Sequence, residues 1–238
     1  KSRFKKFDRW YGREKQCNEV IKRIKTPGKI LDIGCATGIF LSGMKRHGWD
    51  CYGVEPSAFA ANYASQRFNL NIFHGYLENA YYPEDFFDVI TLWDVLEHIP
   101  DPSRTLQIIS KLLKPNGTLI LNLPNAASWE RFLFKRYWVG WDIPRHFTIF
   151  TPKTITDYLL RQNFSVNEII SFTSGYGALV LSVSFMLEGK KIVPSIRLLV
   201  VRILRSYLAR IITYPFYSAM EHFNKTSFMT IFAQNNTL

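Results

Sequence analysis

The stretch Ile30-Leu31-Asp32-Ile33-Gly34-Cys35-Ala36-Thr37-Gly38 limits what this chain can become more than any other. Lys29–Ile33 is a short, largely apolar run, which suits a strand buried on both faces. Gly34–Gly38 reads as a tight turn, because the two glycines remove side chains where backbone must bend sharply or approach a ligand. Ile39–His47 then continues as a helix, closed by Gly48. The first turn of that helix offers unpaired N–H groups, which suit a carboxylate or a phosphate. Ligands of open α/β sheets bind outside the carboxyl ends of the strands, so the turn predicts a nucleotide-type cofactor site.

The rest of the chain alternates in the same way. Arg3–Lys25 is expected to be an amphipathic helix, with Val20, Ile21 and Ile24 at core spacing and Thr26-Pro27-Gly28 as its stop. Strands are expected at Asp50–Glu55, Asn71–His74, Phe87–Leu92 and Thr118–Leu123. Helices are expected over Ala58–Arg67 and over Pro102–Leu113, the latter with Ser103 in its cap region. Lys114-Pro115-Asn116-Gly117 reads as a turn. Beyond it, Asn125–Phe150 reads as loop or short helices, Pro152–Gln162 as a helix and Ser165–Phe172 as a strand. Gly189–Met220 reads as one or two helices broken at Pro194 and Pro215, and Ser227–Ala233 as a closing strand. Strands alternating with helices predict an α/β fold, a mostly parallel sheet with helices on both faces.

Glu55 ends the second strand, seventeen residues after Gly38. A carboxylate there can accept hydrogen bonds from both hydroxyls of a ribose. A glycine turn with a distal acid also fits a dinucleotide site, but the spacing here is G-x-x-x-G, not G-x-G-x-x-G. Asp32 just before the turn would repel a pyrophosphate but could receive an amino group or order the loop. The cofactor expected is one with an amino-acid end.

Residues 28–123 resemble the class I S-adenosylmethionine-dependent methyltransferases, and most of all the branch with ubiquinone-biosynthesis-type small-molecule O-methyltransferases. LDIGCATG, the acid of GVEPS, FFDVITLWDVLEHIPDP and LLKPNGTLILNLPN carry the likeness, in order and at suitable spacing. The resemblance implies a Rossmann-like, mostly parallel seven-stranded sheet with an inserted C-terminal helical cap. It implies S-adenosylmethionine as cofactor and S-adenosylhomocysteine as product. Asp32, Gly34, Cys35, Ala36 and Gly38 would line the methionine part, although many relatives have glycine where this chain has Ala36. Glu55 would bind the ribose, with Pro56 and Ser57 beside the adenine. Tyr76 and Leu77, in the segment Gly75–Glu78, would flank the adenine ring. Trp93, Asp94 and Val95 would lie under the cofactor. One domain is expected over 1–238. Residues 1–27 form an N-terminal lid, 28–123 the cofactor core, 124–172 the substrate-side cap with the sixth strand, and 173–238 a helical insertion with the closing strand. Phe7, Trp10 and Tyr11 could close over the cofactor.

Methyl transfer to a hydroxyl also needs a proton removed, and histidine suits that role at neutral pH. His98 in LEHIPDP and His146 in DIPRH follow the fourth and fifth strands and are the candidate catalytic residues. For each, a purely structural role in its loop is the alternative. The run Trp129–Trp141 mixes aromatic and basic residues, as a substrate lid, a surface patch or plain core would.

The formal net charge of +11 favours anionic partners. No compact recognition helix or RNA-binding signature is present, and the Asn/Asp-Pro-Pro-Tyr/Phe motif of many amino-methylating nucleic-acid enzymes is missing. A small-molecule acceptor is therefore expected, methylated at oxygen. A tRNA or other nucleic-acid methyltransferase and a non-catalytic cofactor-binding module stand as alternatives. Cys17, Cys35 and Cys51 include no C-x-x-C pair, so no metal site is expected and reduced thiols in a cytoplasmic setting are. The first residues are charged and aromatic without an apolar h-region, so no secretory leader is expected. Arg197, Arg202, Arg205 and Arg210 interrupt the apolar run Ile192–Met220. On one continuous helix they would spread over roughly 220° of the circumference, too wide for a clean amphipathic seam. Residues 192–220 could cover an apolar substrate, touch a membrane peripherally or form a dimer face.

Overall fold

The computed structural model describes residues 3–172 and 175–237, with side chains from Gly12 onward. The side chains of Phe7, Trp10 and Tyr11 lie outside the described residues.

The chain runs α1 (Arg3–Arg23), β1 (Lys29–Ile33), α2 (Ile39–Arg46), β2 (Asp50–Glu55), α3 (Ala58–Phe68), β3 (Asn71–His74) and β4 (Phe87–Trp93). It continues with α4 (Pro102–Leu112), β5 (Leu113–Pro124), α5 (Trp129–Phe134), α6 (Pro152–Leu160) and β6 (Phe164–Ile170). It ends with α7 (Gly175–Gly189), α8 (Pro194–Leu204), α9 (Tyr207–His222) and β7 (Phe228–Asn235). The strands form one seven-stranded sheet in the order β3-β2-β1-β4-β5-β7-β6. Strands β1 to β5 pair in parallel, and β7 lies antiparallel between β5 and β6. This is the expected Rossmann-like sheet, mostly parallel with an antiparallel edge.

Alternation along β1 divides the core. Leu31 and Ile33 face one side, where Leu106 and Ile109 of α4 and Ile155 and Leu159 of α6 cover the sheet. Ile30 faces the other, where Phe40, Leu41 and Met44 of α2 meet Cys17 and Val20 of α1. Asp32 shares that second face by strand period. The chain leaves β1 for β2 on one side and later adds β4 on the other. The point where strand order reverses is therefore at the carboxyl end of β1, where such sheets leave a crevice.

Three local expectations are corrected. Asp101 caps α4: its carboxylate accepts the Arg104 N–H at 3.0 Å, so the cap lies before Pro102 and not at Ser103. Residues 114–117 are not a free turn but part of β5, entered through a register shift between the Phe87–Leu113 and Val89–Thr118 pairs. The C-terminal break falls at Ser206, whose hydroxyl caps α9 by accepting from Ala209 N–H, while Pro215 sits inside α9. The expected arc of arginines on a single helix is thus divided between α8 and α9. Helix α7 falls inside the expected helical insertion 173–238 but has no bounds of its own in the sequence, because its residues are apolar without a clear helical stripe.

Candidate cofactor and acceptor site

The turn after β1 takes its shape from backbone in the left-handed region. Gly34 (φ 72°), Ala36 (φ 48°) and Gly38 (φ 71°) all have positive φ. A Cβ at Gly38 would stand 2.7 Å from the Ala64 Cβ and 2.8 Å from Leu70 Cδ1, so α3 packs against bare backbone there. A Cβ at Gly34 would meet Val95 Cγ2 at 2.6 Å. Gly34 N–H donates to the Val54 carbonyl at 2.8 Å, fixing the turn to the end of β2.

Glu55 completes the link. Its Oε2 accepts the Ala36 N–H at 2.8 Å and its Oε1 accepts the Ser57 N–H at 2.8 Å. Glu55 is therefore a buried clamp between two loops as well as an acceptor. Each carboxylate oxygen has a second lone pair, so capacity for a ribose hydroxyl remains. Ser57 also caps α3, accepting from Ala60 N–H. Pro56 and Ser57 are exposed beside this clamp, Tyr76 is exposed, and Leu77 is buried under the loop after β3.

Asp32 is buried and accepts the Thr91 hydroxyl at 2.7 Å. Burial pushes its carboxyl up to about 7, against the lowering effects of Thr91 and of the Arg13 charge. Cys35 is also buried, and burial raises its thiol far above its ordinary range. A thiol so held is neither nucleophile nor metal ligand. Cys17, Cys35 and Cys51 are all free and buried.

At the end of β4 the three expected residues part company. Trp93 is core, edge-on to Phe40 at 5.3 Å and to Phe172 at 6.5 Å between ring centres. Val95 packs on Gly34. Asp94 (φ 59°) opens on a cleft and accepts a hydrogen bond from the Asn122 amide. The residue is exposed to the cleft, and the protein packed around its carboxylate raises its pKa. Asn122 is itself held by the Thr230 hydroxyl, which donates at 2.7 Å.

Asp94 and Asn122 form the floor of a cavity of about 750 Å³. Arg13 and Gln16 of α1 line one side, and Arg210, Tyr214 and Tyr217 of α9 another. Beside Asp94, His98 and His146 lie with ring centres 4.6 Å apart. His98 Nδ1 meets the Arg145 carbonyl at 3.0 Å and His146 Nδ1 meets the Gly140 carbonyl at 2.8 Å. A carbonyl only accepts, so both Nδ1 atoms carry the proton and both Nε2 atoms present a lone pair in the neutral rings. Burial lowers the His146 pKa, which favours that neutral form. Glu97 is buried next to them, and burial, then the Asp94 charge, push its carboxyl up to about 8.

A family model described as a methyltransferase domain matches residues 9–169, more than half of the chain. The chain belongs to this methyltransferase family. The methyltransferase is 34% identical over 121 residues to the ubiquinone biosynthesis O-methyltransferase of Coxiella burnetii, a match covering 48% of this chain and 51% of the relative. The chain spans about half the length of the curated relatives it matches first. In fold it resembles a putative sarcosine dimethylglycine methyltransferase from Galdieria sulphuraria, with TM-score 0.62 and 12% identity over 94% of this chain and 86% of that one. It also resembles phosphoethanolamine N-methyltransferase 2 of Haemonchus contortus in complex with S-adenosyl-L-methionine. There the TM-score is 0.61 and the identity 16%, over 94% of this chain and 53% of that one. The class read from the four sequence segments is thus the class to which the chain belongs.

In the methyltransferase, the glycine turn, Asp32 and Glu55 stand together at the carboxyl ends of β1 and β2, as expected. His98 and His146, read separately from sequence, meet as a pair. The expected aromatic lid divides: Phe134 and Trp138 are buried, with Trp138 Nε1 donating to Ser227 Oγ at 2.9 Å, while Phe132 is exposed. Sequence reasoning passed over Thr91, Asn122 and Glu97. Thr91 stands opposite Asp32 and Asn122 opposite Trp93 in the parallel ladders. A polar residue inside each apolar strand was the available signal.

Proposed function

We propose that this methyltransferase moves the methyl group of S-adenosylmethionine to oxygen on an apolar or amphiphilic small molecule, met at an anionic membrane surface. The cavity that carries this reading runs from Asp94 and Asn122 at the strand ends to Arg210 and Tyr214 on α9. Asp32, Gly34, Cys35, Ala36 and Gly38 would surround the methionine part, with Asp32 facing its ammonium group. Glu55 would take the ribose, and Pro56, Ser57, Tyr76 and Leu77 the adenine. Asp94 and Val95 would lie beneath the cofactor, with Trp93 supporting them from the core.

The acceptor oxygen would form its bond to the methyl carbon as the carbon–sulfur bond breaks and its electron pair returns to sulfur. The hydroxyl proton must leave in the same step or before it. His146, neutral and with its Nε2 lone pair available, is the proposed base. The name of the Coxiella burnetii relative, an O-methyltransferase, supports oxygen as the acceptor atom.

The membrane part rests on α8 and α9. Between Gly189 and Met220 there are six cationic residues and no acidic one. Leu198, Leu208, Ile211, Ile212 and Tyr214 are each at least 66% exposed, a patch far more apolar than a soluble surface needs. Among the described residues no helix is long and apolar enough to cross a membrane. Arg197 pairs with Glu188 at 2.9 Å, and the remaining cations among apolar side chains match a helix pair lying in the interface of an anionic bilayer.

Calorimetric titration with S-adenosylmethionine and S-adenosylhomocysteine tests the donor, and an acceptor panel of phenols, quinols and amines tests the atom. Tight binding of both cofactors without turnover on any acceptor would replace the enzyme reading with that of a binding module.

A further inference from the structure

We propose, on the methyl-transfer reading above, that the acceptor is an acidic amphiphile whose carboxylate or phosphate group is held by Arg210 at the α9 wall of the cavity.

Helix α9 is turned inside out. Arg210, Thr213, Tyr214, Tyr217, Ser218 and Glu221 all line the cavity. Their spacing of three and four residues puts them on one face of the helix. Leu208, Ile211, Ile212 and Phe216 lie off that stripe and are exposed. A helix that packs on an apolar interior presents the opposite arrangement. The same cavity takes an apolar wall from Phe172, Ala178, Leu181 and Phe228. An occupant with one apolar side and one polar side fits both walls. In the middle of the stripe Tyr217 is 6% exposed, and its hydroxyl has no hydrogen-bond partner. Buried polar groups are nearly always paired, so a donor left over on this wall points to a polar occupant.

Charge selects the sign of that polar side. The cations of the lining are Arg13, Lys15 and Arg210, and its acids are Asp94 and Glu221. The Arg13 charge acts on Asp94, and the Lys15 charge acts on Glu221. Arg210 has no such match, since among the described residues it joins no ion pair. Its guanidinium lies over the Tyr176 ring, 5.7 Å from the ring centre. The Tyr176 hydroxyl donates to the Leu204 carbonyl at the end of α8, so this platform is itself tied down. Contact with a ring face uses none of the guanidinium N–H donors. That planar fork matches two oxygens of a carboxylate or a phosphate. The net charge of +11 draws such an anion toward the protein.

The test is calorimetric titration of the full chain, in the presence of S-adenosylhomocysteine, with three matched phenols. These are para-propylphenol and its twins ending in a carboxylate or a phosphonate. The anionic twins should bind at least about tenfold more tightly than the uncharged one, and raised salt should shrink that advantage. The tighter of the two identifies the group as carboxylate or phosphate. Arg210→Met should abolish the advantage, and Arg210→Glu should transfer it to a twin ending in an amine. A reversed preference cannot come from a damaged fold. Arg161→Met, at the exposed end of α6, should leave the preference of the wild type as it is. Equal affinity of the wild type for charged and uncharged twins would overturn the proposal. So would failure of both anionic twins to bind, or an advantage that survives Arg210→Met. Methyl transfer to the uncharged twin without any anion advantage would leave the methyl-transfer reading standing and remove the anion site. An Arg210-dependent advantage without turnover on any twin would do the reverse.

Discussion

Glu55 accepts the backbone N–H of Ala36 at 2.8 Å, and this bond ties the end of β2 to the middle of the turn after β1. The same carboxylate accepts from Ser57 N–H at 2.8 Å, so one side chain orders both loops of the proposed nucleotide site. Glu55→Ala should weaken S-adenosylhomocysteine binding by about 1.5–3 kcal/mol, the scale of hydrogen bonds to a charged group. Glu55→Gln should fall between, since its amide accepts at one end only. Calorimetry reads both, and unchanged affinity in a folded Glu55→Ala protein would remove the ribose assignment.

The turn predicts opposite signs for neighbouring substitutions. Gly38→Ala adds a Cβ at φ 71° that meets Ala64 and Leu70 at under 3 Å. It should destabilise the fold by about 1–3 kcal/mol, from left-handed strain and overpacking together. Ala36 already sits at φ 48° and is exposed. Ala36→Gly should therefore be neutral or stabilising by up to about 1 kcal/mol. Urea unfolding of the two variants distinguishes them.

Asp32 makes stability depend on pH. Burial raises its pKa from 3.8 to about 7 in the folded chain, so folding disfavours the charged form. Its contribution to stability is therefore largest at acid pH and falls as pH rises from about 4 to about 7. Asp32→Asn should abolish this slope and make the cofactor-free protein relatively more stable at pH 8 than at pH 5, by comparison with wild type. A cationic ammonium beside Asp32 would draw its pKa back down. S-adenosylhomocysteine should then bind more tightly as pH rises through the same window, and equal slopes for wild type and Asp32→Asn would exclude this role.

The helix pair α8–α9 should bring the protein to vesicles. Flotation is expected with vesicles rich in phosphatidylserine and not with pure phosphatidylcholine, and raised salt should weaken it. Ile211 and Ile212 are each 69% exposed, so replacing both by Asp should spare the fold and abolish flotation. A stable dimer in solution that the same double substitution breaks would assign this surface to a second copy of the chain instead.

Local chemistry accounts for what was legible in the residues alone. A strand ending in Asp32-Ile33-Gly34, positive-φ positions at glycines, and an acid at the end of the next strand depend on neighbours a few residues apart. The sheet class follows from strands alternating with helices, and the proposed cofactor site from the carboxyl end of β1. Tertiary structure decided the rest, because the partners come from distant segments. Residues 114–117 look like a turn until Leu113 pairs with Phe87 and draws them into β5. Pro215 looks like a helix stop, yet the chain breaks at Ser206, where a hydroxyl is available to cap the next helix. His98 and His146 are forty-eight residues apart in the chain, and only folding brings them edge to face beside a buried Glu97. The residues thus determined where a nucleotide-type cofactor would sit. The packing of loops from β4 and β5 decided which groups line the proposed acceptor site, since burial and mutual distance exist only in the folded chain.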